Sequence, residues 1–332
     1  MRTLIIAEAG VNHNGDVDTA IKLCDAAKKA GADVIKFQTW VTDAIITKNV
    51  EQAEYQKKNT KVVESQYDML KKLELSFDDF RLIKKHCDEI GIEFASTADD
   101  RESIDFVYDD LGVKIAKIGS GDLLNIPCLK QVAEKNVPIL LATGMADISK
   151  VYKAFTTLQQ NGAKDITLLH CTTSYPCPYE QVNLRAMITL REAFKCRVGY
   201  SDHTIDDTVA IAAVALGAEV IEKHFTLDCN MQGPDHKASM EPIEFKHMVN
   251  SIRNIESAMG DGIKQPTLNE KNIISVAEKR IVATKKIKKG MIINEDMLTI
   301  KRNNKGFSGD KWDLVVGKAA WKDFNEDEGI EI

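Results

Sequence analysis

Two short runs, VGYSDHT at residues 198–204 and VIEKHFTLD at residues 220–228, each pass through apolar residues to a histidine, His203 and His224. A neutral imidazole is a good ligand for a divalent ion. Two histidines without a cysteine pair suit an open site, completed by water or substrate and fit for Mn²⁺ (or Mg²⁺ or Co²⁺), better than a closed zinc site. Such an ion would polarise a carbonyl. Taken singly, each histidine reads more readily as a hydrogen-bonded residue at a strand end than as a ligand; on adjacent strands the pair points to function. His13, in GVNHNGD, can hydrogen-bond within its own loop, and His86 and His247 fall on helix surfaces, where they are expected to be solvated.

Lys36 and Lys117 interrupt the apolar runs DVIKFQ and KIAKIG. A lysine is costly to bury without an anion beside it. A phosphate or carboxylate ligand would supply that anion; an internal salt bridge to Glu8 or Asp235 is the alternative. KIGSGD adds backbone donors and Ser120 next to Lys117, and ATGMAD repeats the small-residue theme around Thr143. Both suit anion binding. Glu8, facing two lysines, is the candidate general acid or base.

These residues need elements that bring them together. The chain repeats one unit: an apolar run suited to a doubly buried strand, a polar loop, then an amphipathic helix. The runs LIIAEA, DVIKFQ, IEFAST, KIAKIG, PILLAT, ITLLHC, RVGYSD and VIEKHF make eight strands, with helical patterns between them such as DTAIKLCDAAKKAG and FDDFRLIKKHCDEIG. Eight units over roughly 260 residues predict an α/β fold, a (β/α)8 TIM barrel, whose C-terminal strand ends face one mouth. A doubly wound open sheet is the rival, but no GxGxxG follows the first strand. Glu8, Lys36, Gln38, Ser96, Thr97, Lys117, Ser120, Thr143, Ser201, His203 and His224 all fall at that end of their strands. The pattern then changes to short strands and turns, so the expected organisation is a catalytic barrel over 1–262, a linker over 263–280 and a small, mostly β domain over 281–332. A domain that small is marginal alone and is expected to lean on the barrel or on another subunit.

Composition narrows the partners. With 332 residues, 44% apolar, 28% charged and a net charge of -6, the chain has the mass for a large core and lacks the basic field that nucleic acid requires. The N-terminal MRTLIIAEAG is too short for a secretory segment, and no run of 18 apolar residues occurs, so a cytoplasmic protein with no membrane contact is expected. Seven scattered cysteines read as buried reduced thiols.

The strings AEAGVNHNGD, VIKFQT, KIGSGD, ATGM, LLHCTTSYPCPYE, GYSDHT, GAEVIEKHFTLD and GPDHKASMEP, in this order, resemble the sialic acid synthase family. That family condenses phosphoenolpyruvate with an N-acylated mannosamine-type sugar. The C-terminal part, with KKIKKGMIINEDMLTIKR and VVGKAAW, resembles its antifreeze-like (SAF) domain. The resemblance implies His203 and His224 as metal ligands, Lys36, Lys117, Ser120 and Ser201 around phosphoenolpyruvate, and Glu8 in acid/base work; Thr143, at its strand end, is a further candidate for substrate binding. It implies Gln38, Asp122, Tyr175 and Asp235 around the acceptor, and Arg302 reaching the sugar's acyl group from a neighbouring subunit in a domain-swapped homodimer. Ala98-Asp99, Ala142, Asp122 and Asn303 depart from the family pattern, where Pro-Phe, Ser, Glu and Pro are usual. The expected reaction is N-acetylmannosamine to N-acetylneuraminate, with the diacetamido-trideoxy sugar leading to legionaminic acid as the alternative acceptor. Two other classes compete: a metal-dependent aldolase or phospho-sugar synthase on the same barrel, against which stands the lack of an arginine cluster, and a binding protein using the antifreeze-like domain, against which stand Lys285, Lys286, Lys288 and Lys289.

Overall fold

The structure is a computed structural model describing residues 2–60 and 62–331. Eight parallel strands close into a barrel: β1 (Leu4–Gly10), β2 (Val34–Thr39), β3 (Glu93–Ala98), β4 (Ala116–Ile118), β5 (Ile139–Ala142), β6 (Ile166–His170), β7 (Arg197–Asp202) and β8 (Val220–His224), with β1 paired to both β2 and β8. Each expected strand is present, and the open sheet is excluded. The chain divides into two compact units, the first ending at Gly260 and the second beginning at Asp261.

The helices obey local rules. Val17–Ala30 starts where the Asp16 side chain accepts from the Thr19 N–H and stops at Gly31 in the left-handed region; Phe77–Ile90 opens with a Ser76/Asp79 capping box and stops at Gly91. These caps satisfy amides that the first helical turn leaves unpaired. Outward-facing strand residues such as Ile5, Ile35, Phe37 and Phe94 pack against helix faces carrying Leu23, Ala27, Phe80 and Ile83. Each such side chain contributes about 1.5–3 kcal/mol by leaving water.

Inside the barrel the period of two sorts the residues differently. Ile6, Val34, Ala95, Leu140, Leu169 and Val220 form a separate apolar plug toward the N-terminal strand ends. Two residues on from Ile6, Val34, Ala95 and Val220 stand Glu8, Lys36, Thr97 and Glu222. A strand that alternates its faces therefore places a polar layer directly above an apolar one.

Between β2 and β3 the chain inserts short helices Thr42–Ile45, Glu54–Thr60 and Gln66–Leu73 before reaching Phe77–Ile90. Among the described residues no helix is long and apolar enough to cross a membrane. The second unit carries a helix, Leu268–Ala277, and an antiparallel pair, β9 (Lys279–Ala283) and β10 (Leu298–Arg302), over a core of Ile281, Ile287, Ile293, Leu298, Val315, Phe324 and Ile330.

Candidate active site

Strand register brings the charged residues into one belt. Glu8 is the backbone partner of both Lys36 on β2 and His224 on β8, Thr97 pairs with Lys117 across β3 and β4, and Ser201 pairs with Glu222 across β7 and β8. The side chains then join. Lys36 Nζ lies 2.6 Å from Glu8 Oε2 and 3.6 Å from Glu222 Oε2, and donates to Thr97 Oγ1 at 3.1 Å. Lys117 Nζ lies 3.1 Å from Glu222 Oε1, which also accepts from Ser201 Oγ at 2.9 Å. Gln38 Nε2 donates to Glu8 Oε1 at 3.1 Å. Gly10, with φ of +51°, follows at a bulge in the β1–β2 pairing; a Cβ there would stand 3.3 Å from Glu8 Oε1 and 3.4 Å from Gln38 Nε2.

The belt forms the floor of a cleft of about 590 Å³. Burial pushes the Glu8 carboxyl up, against the opposing pull of Lys36. Burial would raise Glu222 as well, but Lys117 and Lys36 overcome it and hold that carboxyl well below the usual range. Burial works against the Lys117 ammonium too, and Glu222 and Glu8 more than offset it, so Lys117 stays charged. A protonated Glu8 would leave two ammonium groups facing one carboxylate, a floor suited to an anion. Above it, Asp99 is pushed up to about 7 by burial and then by Asp122, and Asp235 to about 7 by burial and then by Glu8. Asp122 is raised by burial while accepting from Asn125 Nδ2 at 2.8 Å.

His203 and His224 do converge: their ring centroids are 5.5 Å apart, with the Tyr175 ring 4.4 Å from the first and 5.6 Å from the second. His203 Nδ1 lies 2.7 Å from the Thr172 carbonyl oxygen. That contact assigns the proton to Nδ1 and leaves Nε2 as a lone pair toward the cleft, the way second-sphere partners orient ligating histidines. Burial lowers both imidazoles, His224 further because His203 is beside it, so both are neutral at pH 7. Among the described residues no three His, Cys, Asp or Glu side chains form a ligand set, so the protein would supply two ligands and leave the rest to water or substrate.

Eleven of the expected site residues line this cleft: Glu8, Lys36, Gln38, Lys117, Ser120, Asp122, Tyr175, Ser201, His203, His224 and Asp235. Two do not. Thr143 is buried and its hydroxyl donates to the Leu169 carbonyl at 3.0 Å, so its oxygen serves the β5–β6 junction. Arg302 ends β10 in the second unit, exposed. Ser120 Oγ accepts from the Gly144 N–H at 3.0 Å; a Cβ on Gly144 would stand 2.8 Å from that oxygen and 2.3 Å from Thr173 Oγ1, which explains the glycine of ATGM. Among the helix histidines, His86 Nε2 lies 2.8 Å from Asp25 and is mostly covered, whereas His247, with Nδ1 2.8 Å from Asp207, is exposed as expected. His13 behaves as expected, Nδ1 accepting from the Gly15 N–H at 3.0 Å.

Three features escaped the sequence reading. Glu222, the anion that joins both lysines, sits in VIEKHF, where the histidine drew attention; the rule applied to lysines in apolar strands finds it equally well. Asp99 was noted only as a departure. The β2–β3 insertion, which lines the cleft with Ala44, Ile45, Met69 and Leu70, gave no long periodic signal.

Residues 23–264 match the NeuB family and residues 279–331 the SAF domain. The chain is 50% identical over 331 residues to the N,N'-diacetyllegionaminic acid synthase of Campylobacter jejuni serotype O:2, covering 99% of each. It is 46% identical over 321 residues to the protein of the same name from Legionella pneumophila strain Philadelphia 1, covering 96% of this chain and 90% of that one. In three dimensions it resembles the N-acetylneuraminic acid synthetase of Leptospira borgpetersenii, with a TM-score of 0.72 and 32% identity over 82% of this chain and 90% of that one. A closed barrel with a charged mouth, followed by an SAF domain and matched nearly end to end by these relatives, belongs to the NeuB family.

Proposed function

We propose that this chain condenses phosphoenolpyruvate with an N-acylated mannosamine-type sugar, releasing phosphate, and that the sugar is 2,4-diacetamido-2,4,6-trideoxymannose rather than N-acetylmannosamine. The observation that carries the reaction class is the Lys36–Glu8–Glu222–Lys117 belt at the floor of a cleft that also holds two neutral, adjacent histidines. The choice of sugar is supported by the names of the two relatives above. Among the described residues no arginine lines the cleft, and Lys36 and Lys117 are its only cations, enough for one phosphate. This favours an unphosphorylated acceptor over the phospho-sugar reading.

In this reading Lys36 and Lys117 hold the phosphate and carboxylate of phosphoenolpyruvate, with Ser120 and Ser201 adding hydroxyls, while Gln38, Asp122, Tyr175 and Asp235 face the sugar. His203 and His224 would hold Mn²⁺ (or Mg²⁺ or Co²⁺), whose chemistry when bound would be that of a Lewis acid toward the open-chain aldehyde. C3 of phosphoenolpyruvate forms a bond to the aldehyde carbon, whose oxygen takes a proton; water adds at C2, and the C2–O bond to phosphate breaks. Glu8, with its carboxyl pushed up, is placed to exchange protons with the carbonyl oxygen or the attacking water. The two ammonium groups offset the charge that develops as phosphate leaves. Incubating the enzyme with phosphoenolpyruvate, Mn²⁺ and each sugar, then weighing the products, tests the reading. A nonulosonic acid formed with equimolar phosphate, lost on chelation and restored by Mn²⁺, is expected. A phosphorylated product, or full turnover in a metal-free preparation, contradicts it.

The reading includes a cytoplasmic, domain-swapped homodimer in which Arg302 of one protomer contacts the acyl group bound in its partner. A small unit joined by a linker makes such an exchange a low-cost route to a twofold dimer. Mixing His203→Ala with Arg302→Ala protomers under conditions of reassortment should restore roughly a quarter of the sites, since half the dimers are mixed and each has one intact site. No recovery with mixed dimers present overturns the swapped arrangement.

A further inference from the structure

The cleft has two unlike sides. Its floor is the charged belt, but the wall beside β1 and β2 is mostly apolar: Val11 just past the end of β1, Ala44 and Ile45 from the first inserted helix, and Met69, Leu70 and Leu73 from Gln66–Leu73, with Gln56 and Gln66 as its polar members. Val11, Trp40, Met69 and Leu73 form a small core of their own, distinct from the barrel core, with Ile45 and Leu70 packed against it. The insertion is tied into the mouth. Asn59 Nδ2 donates to the Pro234 carbonyl at 2.7 Å, Thr42 N–H donates to Glu74 at 2.9 Å, and the Lys72 carbonyl approaches Gly15 so closely that a Cβ there would stand 2.4 Å away. The wall is therefore held in place before any ligand arrives.

Its position selects the occupant. The insertion follows β2, which carries Gln38 as well as Lys36, and Asn59 ties it to Pro234, next to Asp235; Lys117, Ser120 and Ser201 lie on β4, after it, and on β7. It thus stands next to two of the groups assigned to the sugar, Gln38 and Asp235. An apolar surface at a sugar site gains nothing from a hydroxymethyl group, which keeps its water, and gains from a methyl group. We infer that Ile45, Met69 and Leu70 form the specificity wall for the deoxy end of the acceptor, so that this cleft takes 6-deoxy, methyl-terminated acylamino sugars in preference to their 6-hydroxy counterparts. The inference rests on the proposed condensation and adds to it the residues that choose between acceptors.

Ile45 and Leu70 are only partly buried, so polar substitutions there leave the fold intact. The test compares wild type, Ile45→Asn, Leu70→Gln and the conservative Leu70→Met in steady-state assays with phosphoenolpyruvate and two acceptors, 2,4-diacetamido-2,4,6-trideoxymannose and N-acetylmannosamine. Each polar variant should lower the ratio of kcat/KM for the deoxy over the hydroxy acceptor by about tenfold, the scale on which an apolar pocket discriminates one small group. Leu70→Met should keep the ratio, and the KM for phosphoenolpyruvate should hold throughout. Equal losses on both acceptors, or a change confined to phosphoenolpyruvate, overturn the wall while leaving the condensation standing. A wild-type enzyme that converts neither sugar overturns the condensation and the wall with it.

Discussion

Three lysines interrupt apolar barrel strands, and the structure puts them to two uses. Lys223 lies between Glu222 and His224, so the alternation of a strand turns it away from the cleft when its neighbours face in. There it is closed off. Its ammonium donates to Asp202 Oδ2 at 2.8 Å, to the Thr204 carbonyl at 2.6 Å and to the Asp206 carbonyl at 2.7 Å, with side-chain exposures of 1% for Lys223 and 0% for Asp202. Three donors meet three acceptors, and nothing remains for a ligand. Lys117 has Glu222 at 3.1 Å and otherwise faces the cleft, while Lys36 shares Glu222 with it and has Glu8 to itself at 2.6 Å. The difference teaches that a buried lysine in a strand is a sign of function only when its face is the open one; the parity of the residue decides, not its type.

The comparison can be broken first at its closed end. Lys223→Met would leave Asp202 buried without its cation, and removing one partner of a buried pair costs about 3–5 kcal/mol. Chemical denaturation should show that loss, with kcat/KM for phosphoenolpyruvate in the folded fraction unchanged. A variant as stable as wild type would make the closed pair dispensable and dissolve the contrast.

A smaller effect sharpens it. His13 is sealed like Lys223 but carries no compensating charge at contact distance, and burial lowers its imidazole to about 4. An unfolded histidine takes up a proton near pH 6.5 and the folded one does not until about 4. The stability it confers is therefore complete above pH 6.5 and is lost as pH falls through that window, by about 3 kcal/mol at most. Asp99 and Asp235, raised to about 7 on the open side, act in the opposite sense, their contribution growing as pH falls from about 7 toward 3.8. In unfolding curves at pH 4 to 7, His13→Asn should therefore lose less stability on acidification than wild type. Parallel profiles would place His13 in contact with solvent.

The eight strands and the cluster at their ends were legible in the sequence because both follow from one regularity, apolar runs with polar residues at a fixed end. What was not legible depended on parity and on distance along the chain. Glu222 and Lys223 are adjacent letters with opposite roles, and only a register relative to the barrel axis separates them. Thr143 has the right type and place on its strand but spends its hydroxyl on a neighbouring carbonyl. The apolar wall is assembled from Val11, Ile45 and Leu70, residues with no shared period, so no window along the chain contains it.

The central claim is that the open lysines exist for an anionic substrate, and calorimetric titration of phosphoenolpyruvate into wild type and Lys117→Met tests it most directly. Methionine keeps most of the volume and removes the charge. The account predicts that the variant folds and binds phosphoenolpyruvate about 30-fold more weakly, a loss of about 2 kcal/mol, within the range for a hydrogen bond to a charged group. Equal affinity in a folded variant would contradict it and return Lys117 to the same structural role as Lys223.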